Sequence, residues 1–295
     1  MKAIVTGAAG FAGYSLTVAL LESGYEVYAI LKPNSEHNQR LKGIKDSLHL
    51  IECDCGDFDK LPEMIPVSCD CFYHLAWFGS RDDFDVQRYN IECTLMALES
   101  AAKCNCKRFV GIGSQAEYGI CLGEIREDSI STPITAYGAC KLAALYLTKC
   151  RAEQLKIEWV WGRIFSLYVD YEPKGRMLPD LVENLSQNRE MHLSSCEQNW
   201  DYLYVKDAAK AIIAIGESGH NSEVYNIAHG DGKALREYVL QAKEELNSIS
   251  NIIFGKRANP FISLLPSIDK IKKDTGWAPE VPFEVGLKSY FNTLD

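Results

Sequence analysis

The stretch Lys2-Ala-Ile-Val-Thr6, followed by Gly7-Ala-Ala-Gly-Phe-Ala-Gly13, decides the fold class of this chain. Its first five residues form a short apolar run that predicts a buried β-strand. A helical pattern with Leu16, Ala19 and Leu20 on one face begins directly after the glycines. This order brings backbone N–H groups and the positive end of a helix dipole to the turn, where a pyrophosphate can bind. The stretch therefore predicts a dinucleotide-binding βα unit.

The three glycines of this turn have separate steric tasks. Gly7 allows the tight turn, Gly10 lets the backbone approach the phosphates, and Gly13 lets the helix pack closely on the strand. An ordinary βα loop with flexible glycines is the alternative interpretation of the same residues. We expect Gly7, Gly10, Phe11, Ala12 and Gly13 to contact the cofactor.

The composition is that of an ordinary globular protein with an acidic net charge. The chain has 295 residues, of which 47% are hydrophobic and 24% charged, so it can form one large domain or a domain with an appended lobe. Its net charge of −9 argues against nonspecific binding of nucleic acid, which needs a basic face. No apolar run approaches the ~20 residues of a membrane span. The first apolar stretch ends at glycine too soon for a signal peptide. We therefore expect no membrane partner and a cytoplasmic location.

Eleven cysteines are many for a chain of this length. None of them shows the C-x-x-C spacing of common zinc sites, and their odd number favours reduced thiols that pack as small apolar groups. We therefore expect no metal site. Three C-x-C pairs are formed by Cys53 with Cys55, Cys69 with Cys71, and Cys104 with Cys106.

Strands and helices alternate along the first 165 residues. Buried strands are predicted at 25–31, 49–53, 69–75, 107–112 and 157–161, and long helices at 84–103 and 135–155. Such alternation implies a parallel sheet covered on both faces, and right-handed crossovers make it doubly wound. The predicted fold class is α/β, a doubly wound parallel sheet of the Rossmann type, with its ligand crevice at the carboxyl ends of the strands.

The pattern loosens after residue 165, where turn-rich pieces interrupt short helices and strands. We interpret this part as a smaller C-terminal lobe that closes over the crevice and selects the substrate. The predicted dinucleotide-binding domain is 1–165, with 200–228 returning to it. The predicted substrate-binding lobe is 166–199 together with 229–295.

Tyr137 and Lys141 stand four residues apart on the helix predicted at 135–155, so both side chains lie on one face. An ammonium group near a phenol favours the phenolate and lowers the phenol pKa from about 10. Ser114 follows the strand predicted at 107–112 and therefore emerges at the crevice, beside the glycine turn. These three residues form the candidate catalytic group.

With these residues the chain resembles the extended short-chain dehydrogenase/reductase family, the nucleotide-sugar epimerases, dehydratases and ketoreductases, over nearly its whole length. The resemblance implies a Rossmann fold and NAD(P)-dependent chemistry on a nucleotide-linked sugar. The motifs that carry it are T-G-x-x-G-x-x-G at 6–13, Asp54-Cys55, His74-Leu75-Ala76, Asn90, Ser114 in Gly-Ser-Gln-Ala-Glu-Tyr-Gly, Tyr137 with Lys141, and the segment from Trp200 to Asp207.

The resemblance implies a role for each catalytic candidate. Tyr137 is expected to be the general acid/base and Ser114 to hydrogen-bond the reacting oxygen. Lys141 is expected to lower the tyrosine pKa and to hold the nicotinamide ribose. General chemistry agrees, since hydride transfer at a carbonyl needs a proton donor and a hydrogen bond to the oxygen.

The same resemblance implies further contacts with the cofactor. Asp54 and Cys55 are expected at the adenine, and Leu75 and Ala76 beside the dinucleotide. For Asn90 the family suggests a structural or proton-relay role, and a plain helix-surface asparagine is the alternative.

The residues after the second strand favour NADP(H) over NAD. NAD-preferring folds place a carboxylate there, about 20 residues beyond the glycines, to bind the ribose 2′-hydroxyl. Here the strand continues as Lys32-Pro-Asn-Ser35 without a carboxylate, and His37 and Arg40 follow closely. Because a cationic side chain favours a 2′-phosphate, Lys32 is the expected contact; a solvated lysine is the alternative.

The reaction is narrowed by the residues at the serine position. Relatives that dehydrate the sugar resemble one another in a Thr-Asp-Glu run, where this chain has Ser114, Gln115 and Ala116. The missing acid pair argues against a 4,6-dehydratase. A 4-ketoreductase of a nucleotide-linked 6-deoxyhexose is favoured, and a nucleotide-sugar 4-epimerase with tightly bound cofactor is the first alternative. A non-catalytic NADP-binding regulator and a reductase of non-sugar carbonyls stay open.

Substrate contacts are expected from the lobe, in addition to Gln115 and the two catalytic hydroxyls. The family places arginine where this chain has Trp200, which can stack on a base or a sugar or lie in the core of the lobe. Arg176 and Arg257 are candidate partners of the diphosphate, because a guanidinium binds phosphate in a bidentate manner. A solvated surface arginine is the alternative for each.

A homodimer is expected by analogy. Relatives often pair through two long helices, which correspond to 84–103 and 135–155 in this chain. Apolar Leu142, Leu145 and Leu147 permit such an interface and equally suit packing within one chain.

Overall fold

Strands and helices alternate along most of the chain, as the sequence predicts. The computed structural model describes residues 1–65, 67–169, 171–173, 175–258 and 262–291. The elements of the first part are β1 (Lys2–Thr6), α1 (Phe11–Glu22), β2 (Glu26–Leu31), β3 (Leu48–Glu52), α2 (Leu61–Met64), β4 (Cys71–His74), α3 (Phe84–Lys103), β5 (Arg108–Ser114), α4 (Ala136–Leu155) and β6 (Glu158–Ile164). The second part contains β7 (Ser166–Tyr168), α5 (Met177–Ser186), β8 (Met191–His192), β9 (Asn199–Trp200), β10 (Tyr202–Tyr204), α6 (Val205–Ser218), β11 (Glu223–Ile227), β12 (Lys233–Ala234), α7 (Leu235–Glu245), β13 (Ile252–Ile253), α8 (Asp269–Thr275) and α9 (Phe283–Phe291).

Seven strands form one parallel sheet in the order β11-β6-β5-β4-β1-β2-β3. The order reverses at β1, because β2 and β3 lie on one side of it and β4 on the other. This arrangement confirms the predicted α/β, doubly wound fold class. A ligand crevice forms where the strand order reverses, at the carboxyl end of β1. The glycine turn lies at that end.

Strands β5 and β6 run farther than the sequence predicts. Their ladder continues to the pair Ser114 and Ile164. Glycine is depleted in strands, which is why the predicted strand ends at Ile112. In the fold Gly111 has a neighbour that requires it, because a Cβ there would lie 2.3 Å from the Trp161 ring. The longer β5 carries Ser114 to the carboxyl edge of the sheet.

Helices cover both faces of the sheet. α1 and α6 pack on one face through Leu16, Leu20 and Ile212. α3 and α4 cover the other face through Leu98 and Leu145. All five side chains are buried, and burial of each is worth about 1.5–3 kcal/mol. The resulting layers hold the strand ends, and with them the crevice, in place.

A third apolar core lies in the C-terminal half of the chain. It contains Tyr168, Leu181, Tyr202, Tyr238 and Phe283, all buried. The ring centroids of Tyr238 and Phe283 are 4.8 Å apart. A core of its own supports the proposal of a separate substrate lobe.

The division into 1–165 with 200–228, and 166–199 with 229–295, remains a proposal. β11 joins the large sheet beside β6. Ile268 and Ile271 belong to the second group of ranges but pack with the core of the sheet. The C-terminal segment therefore contacts the sheet as well as the lobe.

The cysteines are free thiols in the structure. All eleven are unpaired, and eight of them are buried, as is usual for thiols that pack as small apolar groups. In the described ranges no three His, Cys, Asp or Glu side chains are grouped so that they could hold a metal ion.

Among the described residues, no helix combines the length and the apolar character needed to cross a membrane.

Candidate active site

The glycine turn is closed by contacts that leave no room for side chains. Gly7 has φ +69°, and a Cβ there would lie 2.9 Å from the Ala76 N atom. A Cβ on Gly13 would lie 2.0 Å from the Gly7 carbonyl oxygen, so α1 packs directly on the turn. Gly10 is the N-cap of α1 and makes no side-chain capping bond. The N-terminus of α1 therefore suits an anion, as the sequence predicts.

Two adjoining cavities meet at this turn. One is a cleft of about 640 Å³ whose lining includes Ser114, Tyr137 and Lys141. The other is a smaller cavity of about 350 Å³, whose lining includes Lys32 and Asp54. Both cavities are lined by Gly7, Gly10 and Trp77. An elongated molecule that crosses the glycine turn can therefore occupy both, as a dinucleotide would.

A larger cavity of about 940 Å³ runs along α1 and contains none of the predicted site residues. Among the described residues, Glu172 is the one that lines both this cavity and the cleft. Two of its lining residues, Ser15 and Asp207, carry buried oxygen atoms that find no hydrogen-bond partner within the described part of the chain, and these atoms are not open to the cavity. The largest of the three cavities is therefore not the one that contains the predicted catalytic residues, which line the cleft of about 640 Å³.

β5 and α4 bring the three catalytic candidates together. Ser114 ends β5, Tyr137 lies in the first turn of α4, and Lys141 lies one turn farther along. A Cβ on Gly138 would lie 2.3 Å from the Ala116 carbonyl oxygen, so the start of α4 packs against the turn after β5. The side chain of Ser114 lies close enough to the Tyr137 hydroxyl to lower the pKa of the phenol by hydrogen bonding.

The phenol of Tyr137 is neutral near pH 7, because burial raises its pKa above the ordinary value. From the sequence, Lys141 is expected to lower this pKa. In the structure the groups that lower it are Ser114, through its hydrogen bond, and the guanidinium groups of Arg81 and Arg176. Contrary to the expectation of a lowered pKa, the pKa of the phenol is raised, because burial outweighs the cations that act on it most, which are arginines.

Burial also acts on Lys141. Its side chain is 4% exposed, and burial lowers its pKa from 10.5 to about 7, against the opposing charge of Glu117. Its Nζ donates a hydrogen bond to the Ile112 carbonyl at 2.6 Å and lies 3.8 Å from the centroid of the Trp77 ring. Burial therefore disfavours the charged form of this lysine.

The sequence analysis did not identify a buried carboxylate that lies directly behind the serine. Glu117 accepts a hydrogen bond from the Ser114 N–H at 2.9 Å and forms an ion pair with Arg163. Both charged side chains are buried. A signal was available in the sequence, since a carboxylate in the turn after a buried strand needs a partner, and Arg163 stands in the next predicted strand region.

The loop after β4 supplies two cleft residues that the sequence did not reveal, Trp77 and Arg81. The Arg81 guanidinium carbon lies 4.9 Å from the centroid of the Tyr137 ring. Asn90 supports this loop: its Oδ1 accepts from the Phe78 N–H at 3.2 Å, and its Nδ2 donates to the Phe78 carbonyl at 2.9 Å. With 1% exposure, Asn90 is a structural residue of the loop and not a surface asparagine.

The smaller cavity contains the residues expected at the adenosine end. Asp54 and Cys55 line it, and Asp54 caps the next turn by accepting from the Gly56 N–H at 3.4 Å. Lys32 is exposed at its edge, with Nζ 5.8 Å from the centroid of the Phe78 ring. Among the described residues that line this cavity, Asp54 is the one with a carboxylate. The other cofactor candidates also line the two cavities: Phe11, Ala12 and Leu75 the cleft, and Ala76 the smaller cavity.

Arg40 is not among the described residues that line the smaller cavity. Its Nη1 donates to the Ala9 carbonyl at 3.0 Å, and its guanidinium carbon lies 4.6 Å from the centroid of the Tyr171 ring. His37, in contrast, lines the cavity. Of the three basic side chains that closely follow β2, Lys32 and His37 are therefore in place to meet a ligand there.

Of the remaining substrate candidates, Gln115, Arg176 and Trp200 line the cleft. Arg176 precedes α5, and its guanidinium carbon lies 5.5 Å from the centroid of the Phe11 ring in the glycine turn. Trp200 is half-buried and also packs against the core of the lobe, so it contributes to that core, and its stacking on a base or a sugar stays a proposal. Arg257 is exposed after β13 and is not among the lining residues, so the structure does not bring it to the cleft.

Comparison with known proteins finds one family and several relatives. The model of the NAD dependent epimerase/dehydratase family matches residues 3–228. The UDP-glucose 4-epimerase of Corynebacterium glutamicum is 25% identical, over 95% of this chain and 91% of that protein. The CDP-abequose synthase of Salmonella muenchen is 23% identical, over 97% of this chain and 96% of that protein.

Solved structures share the architecture. The UDP-glucuronic acid 4-epimerase from Bacillus cereus in complex with NAD is similar with a TM-score of 0.85 at 24% identity, over 100% of this chain and 99% of that chain. At this level of identity the similarity concerns the fold.

Proposed function

The chain belongs to the NAD dependent epimerase/dehydratase family of extended short-chain dehydrogenases/reductases, and we propose that it is an NADP(H)-dependent reductase of the 4-keto group of a nucleotide-linked 6-deoxyhexose. The observation that carries this proposal is Lys32 at the edge of the smaller cavity, at the position where NAD-preferring folds have a carboxylate. A cation there favours the 2′-phosphate of NADP(H). NADPH suits a net reduction, because it enters with a hydride and leaves without it.

The residues present fit a dinucleotide. The turn at Gly7 and Gly13 has no room for side chains, so a pyrophosphate can approach the N-terminus of α1 closely. The two cavities on either side of this turn suit the adenosine and nicotinamide halves. When bound, the cofactor supplies a hydride to the carbonyl carbon of the substrate.

The side chains of the cleft supply the proton and orient the carbonyl. Tyr137 is a neutral phenol near pH 7, since burial raises its pKa, and it can donate its proton to the carbonyl oxygen as the carbon receives the hydride. Ser114 Oγ accepts from the Ala116 N–H at 3.2 Å, which leaves its hydroxyl hydrogen for the same oxygen. Lys141, with a pKa of about 7, can exchange protons at neutral pH and help to reprotonate the tyrosine.

A nucleotide-sugar 4-epimerase is the second candidate. The similarity to a UDP-glucose 4-epimerase over 91% of that protein favours it, and the same three side chains serve oxidation and reduction at C4. The two candidates differ in the cofactor: an epimerase keeps its dinucleotide and shows no net redox turnover, whereas a reductase consumes NADPH.

Substrate turnover separates these candidates. We expect the purified protein to oxidise NADPH in the presence of a CDP- or dTDP-linked 4-keto-6-deoxyhexose, with a lower KM for NADPH than for NADH. The variant Lys32→Glu should reverse the cofactor preference, and Lys42→Glu, at an exposed lysine outside the cavity, should keep it. A preference of the wild type for NADH would overturn the NADP(H) proposal. Interconversion of UDP-sugars with co-purified dinucleotide and no NADPH consumption would establish the epimerase.

A non-catalytic NADP-binding protein is distinguished by Tyr137→Phe. An enzyme should lose about 10²–10⁴-fold in rate while its affinity for NADPH is kept, because the phenol acts on the substrate. Thermal-shift measurements with CDP-, dTDP-, UDP- and GDP-sugars identify the base. If no nucleotide sugar raises the melting temperature, a reductase of non-sugar carbonyls replaces the proposal.

A further inference from the structure

The carboxylate of Glu117 connects the serine to a second strand. Glu117 is 0% exposed. Its Oε1 accepts from the Ser114 N–H at 2.9 Å and from the Trp161 Nε1–H at 3.1 Å, and its Oε2 accepts from Arg163 Nε at 2.7 Å. One side chain thus ties the end of β5, which carries the serine, to two residues of β6. Each carboxylate oxygen has a donor, which is the condition for a stable buried charge.

Arg163 is held as firmly as its partner. It is 3% exposed, and its Nη1 and Nη2 donate to the Glu127 carbonyl at 3.3 Å and to Ser131 Oγ at 3.4 Å. Its guanidinium carbon also lies 4.3 Å from the centroid of the Tyr118 ring. A buried ion pair is weak evidence for stability, because apolar residues of similar volume often replace it at no cost. Its location behind the serine therefore points to a role in the site.

The backbone beside the serine leaves space for this carboxylate. A Cβ on Gly113 would lie 2.1 Å from Glu117 Oε1 and 2.1 Å from Trp161 Nε1. The turn after Ser114 is a capping box: Ser114 Oγ accepts from the Ala116 N–H, and the Glu117 side chain accepts from the Ser114 N–H. The main-chain N–H of the serine and one lone pair of its hydroxyl oxygen are therefore already hydrogen-bonded. The hydroxyl hydrogen can still donate to a group in the cleft.

On the basis of the function proposed above, we infer that Glu117, with its partner Arg163, is a positioning residue that fixes the Ser114 hydroxyl against Tyr137 and places a negative charge behind Tyr137 and Lys141. Glu117 touches neither the cofactor cavity nor the cleft. Its hydrogen bond to the Ser114 N–H fixes the position of the serine. Its negative charge acts through space on Tyr137 and Lys141.

The charge reaches both titrating groups of the cleft. Glu117 raises the pKa of Lys141 against the effect of burial, and it raises the pKa of Tyr137 in the same direction as burial. The other charged or titratable groups that act on these two residues are Arg81 from the loop after β4, Arg176 before α5 and His74 at the end of β4. Removal of the Glu117 charge should therefore lower the pKa values of Tyr137 and Lys141 together.

Two variants separate geometry from charge. Glu117→Asp keeps the charge next to Arg163 but withdraws the carboxylate from the Ser114 N–H by one methylene. We expect kcat to fall about 10–100-fold, since a displacement of about 1 Å can cost 100-fold, with the pH profile of kcat/KM unmoved. The double variant Glu117→Gln with Arg163→Met removes both charges and leaves no unpaired buried ion. We expect it to fold, to lose kcat to a similar extent, and to shift both limbs of the pH profile to lower pH.

A surface ion pair provides the matched control. Arg108 and Glu158 also join β5 to β6, with N–O contact at 2.6 Å, but Glu158 is half exposed. Glu158→Gln should leave kcat and the pH profile as in the wild type. Affinity for NADPH, measured by fluorescence titration, should be the same in all of these proteins.

The inference is overturned if Glu117→Asp keeps the wild-type kcat, or if the folded double variant keeps the wild-type pH profile. Failure of the proposed function has a different signature. In that case Tyr137→Phe keeps full activity, or no nucleotide sugar is turned over by the wild type. If the double variant does not fold, Glu117→Asp alone decides, because it retains the ion pair.

Discussion

Lys141 should destabilise the folded protein, although the proposed chemistry needs it. The side chain is buried, and burial lowers its pKa from 10.5 to about 7. A tenfold change in a proton-binding constant is worth about 1.4 kcal/mol, so at pH 7 the buried lysine costs about 4 kcal/mol. Lys141→Met removes this cost and loses one hydrogen bond, from Nζ to the Ile112 carbonyl, worth about 1 kcal/mol. The expected net gain in the free energy of unfolding is about 3 kcal/mol.

The pH dependence follows from the direction of the shift. The unfolded lysine keeps its proton up to about pH 10.5, whereas the folded lysine releases it above about pH 7. Between these values the unfolded state binds more protons, so the stability of the wild type rises with pH. The advantage of Lys141→Met should be largest below pH 7 and fade toward pH 10.5.

Urea unfolding followed by circular dichroism, at intervals from pH 6 to 10, measures this difference. Lys149→Met is the matched control, because Lys149 lies on the same helix and its Nζ also donates to one backbone carbonyl, of Ser222 at 2.7 Å, but it is only half-buried. The control should show no pH-dependent gain. If Lys141→Met is less stable than the wild type at pH 7, or if its advantage stays constant up to pH 10, the reasoning from burial is wrong.

Three further predictions concern packing, substrate and assembly. Gly113→Ala should lower the free energy of unfolding by about 1–3 kcal/mol through overpacking, because its Cβ would meet two buried side chains. Gly123→Ala should leave the stability unchanged, because no described atom lies within 4 Å of the Cβ it would add. Equal stability of the two variants in urea would contradict the prediction. Arg176→Ala should raise the KM for the nucleotide sugar about tenfold, because one contact with a phosphate is lost. Arg257→Ala should leave this KM unchanged. Steady-state kinetics in which Arg257→Ala raises KM and Arg176→Ala does not would contradict the placement of Arg176 at the diphosphate. We propose a homodimer through α3 and α4, and Leu147→Glu, at a side chain that is 48% exposed, should then give a monomer in sedimentation, whereas an unchanged sedimentation coefficient rejects that interface.

The fold was predictable because its signals are local. The apolar strand, the glycine turn and the helix from Phe11 are contiguous, and periodicity alone places α3 and α4 within a residue of their bounds. The end of β5 was predicted too early, because Gly113 resembles a strand breaker in the sequence, whereas in the fold the Trp161 side chain occupies the space that a Cβ there would need. The usual handedness of parallel crossovers gave the doubly wound class, whereas the order of strands in the sheet came from the structure.

The candidate site was predictable where one segment carries it. Tyr137 and Lys141 share a helix face by their spacing, and Ser114 ends a strand beside them. The groups that act on them come from distant segments. Arg81 and Glu117, which change the charge around the phenol, belong to a loop and a turn whose paths no local pattern determines. Burial, too, depends on the whole fold.

The chain by itself determined the class of fold, the glycine turn that suits a pyrophosphate, and the tyrosine, lysine and serine of the cleft, because these depend on hydrophobic period, steric need and spacing along one segment. Only the tertiary structure decided that Lys32 lines the smaller cavity while Arg40 is not among its described lining residues, and that burial lowers the pKa of Lys141 to about 7. It alone paired Glu117 with Arg163 across 46 positions of sequence. Electrostatic energies depend on distance in space and on exclusion of water, and neither quantity is written in the order of residues.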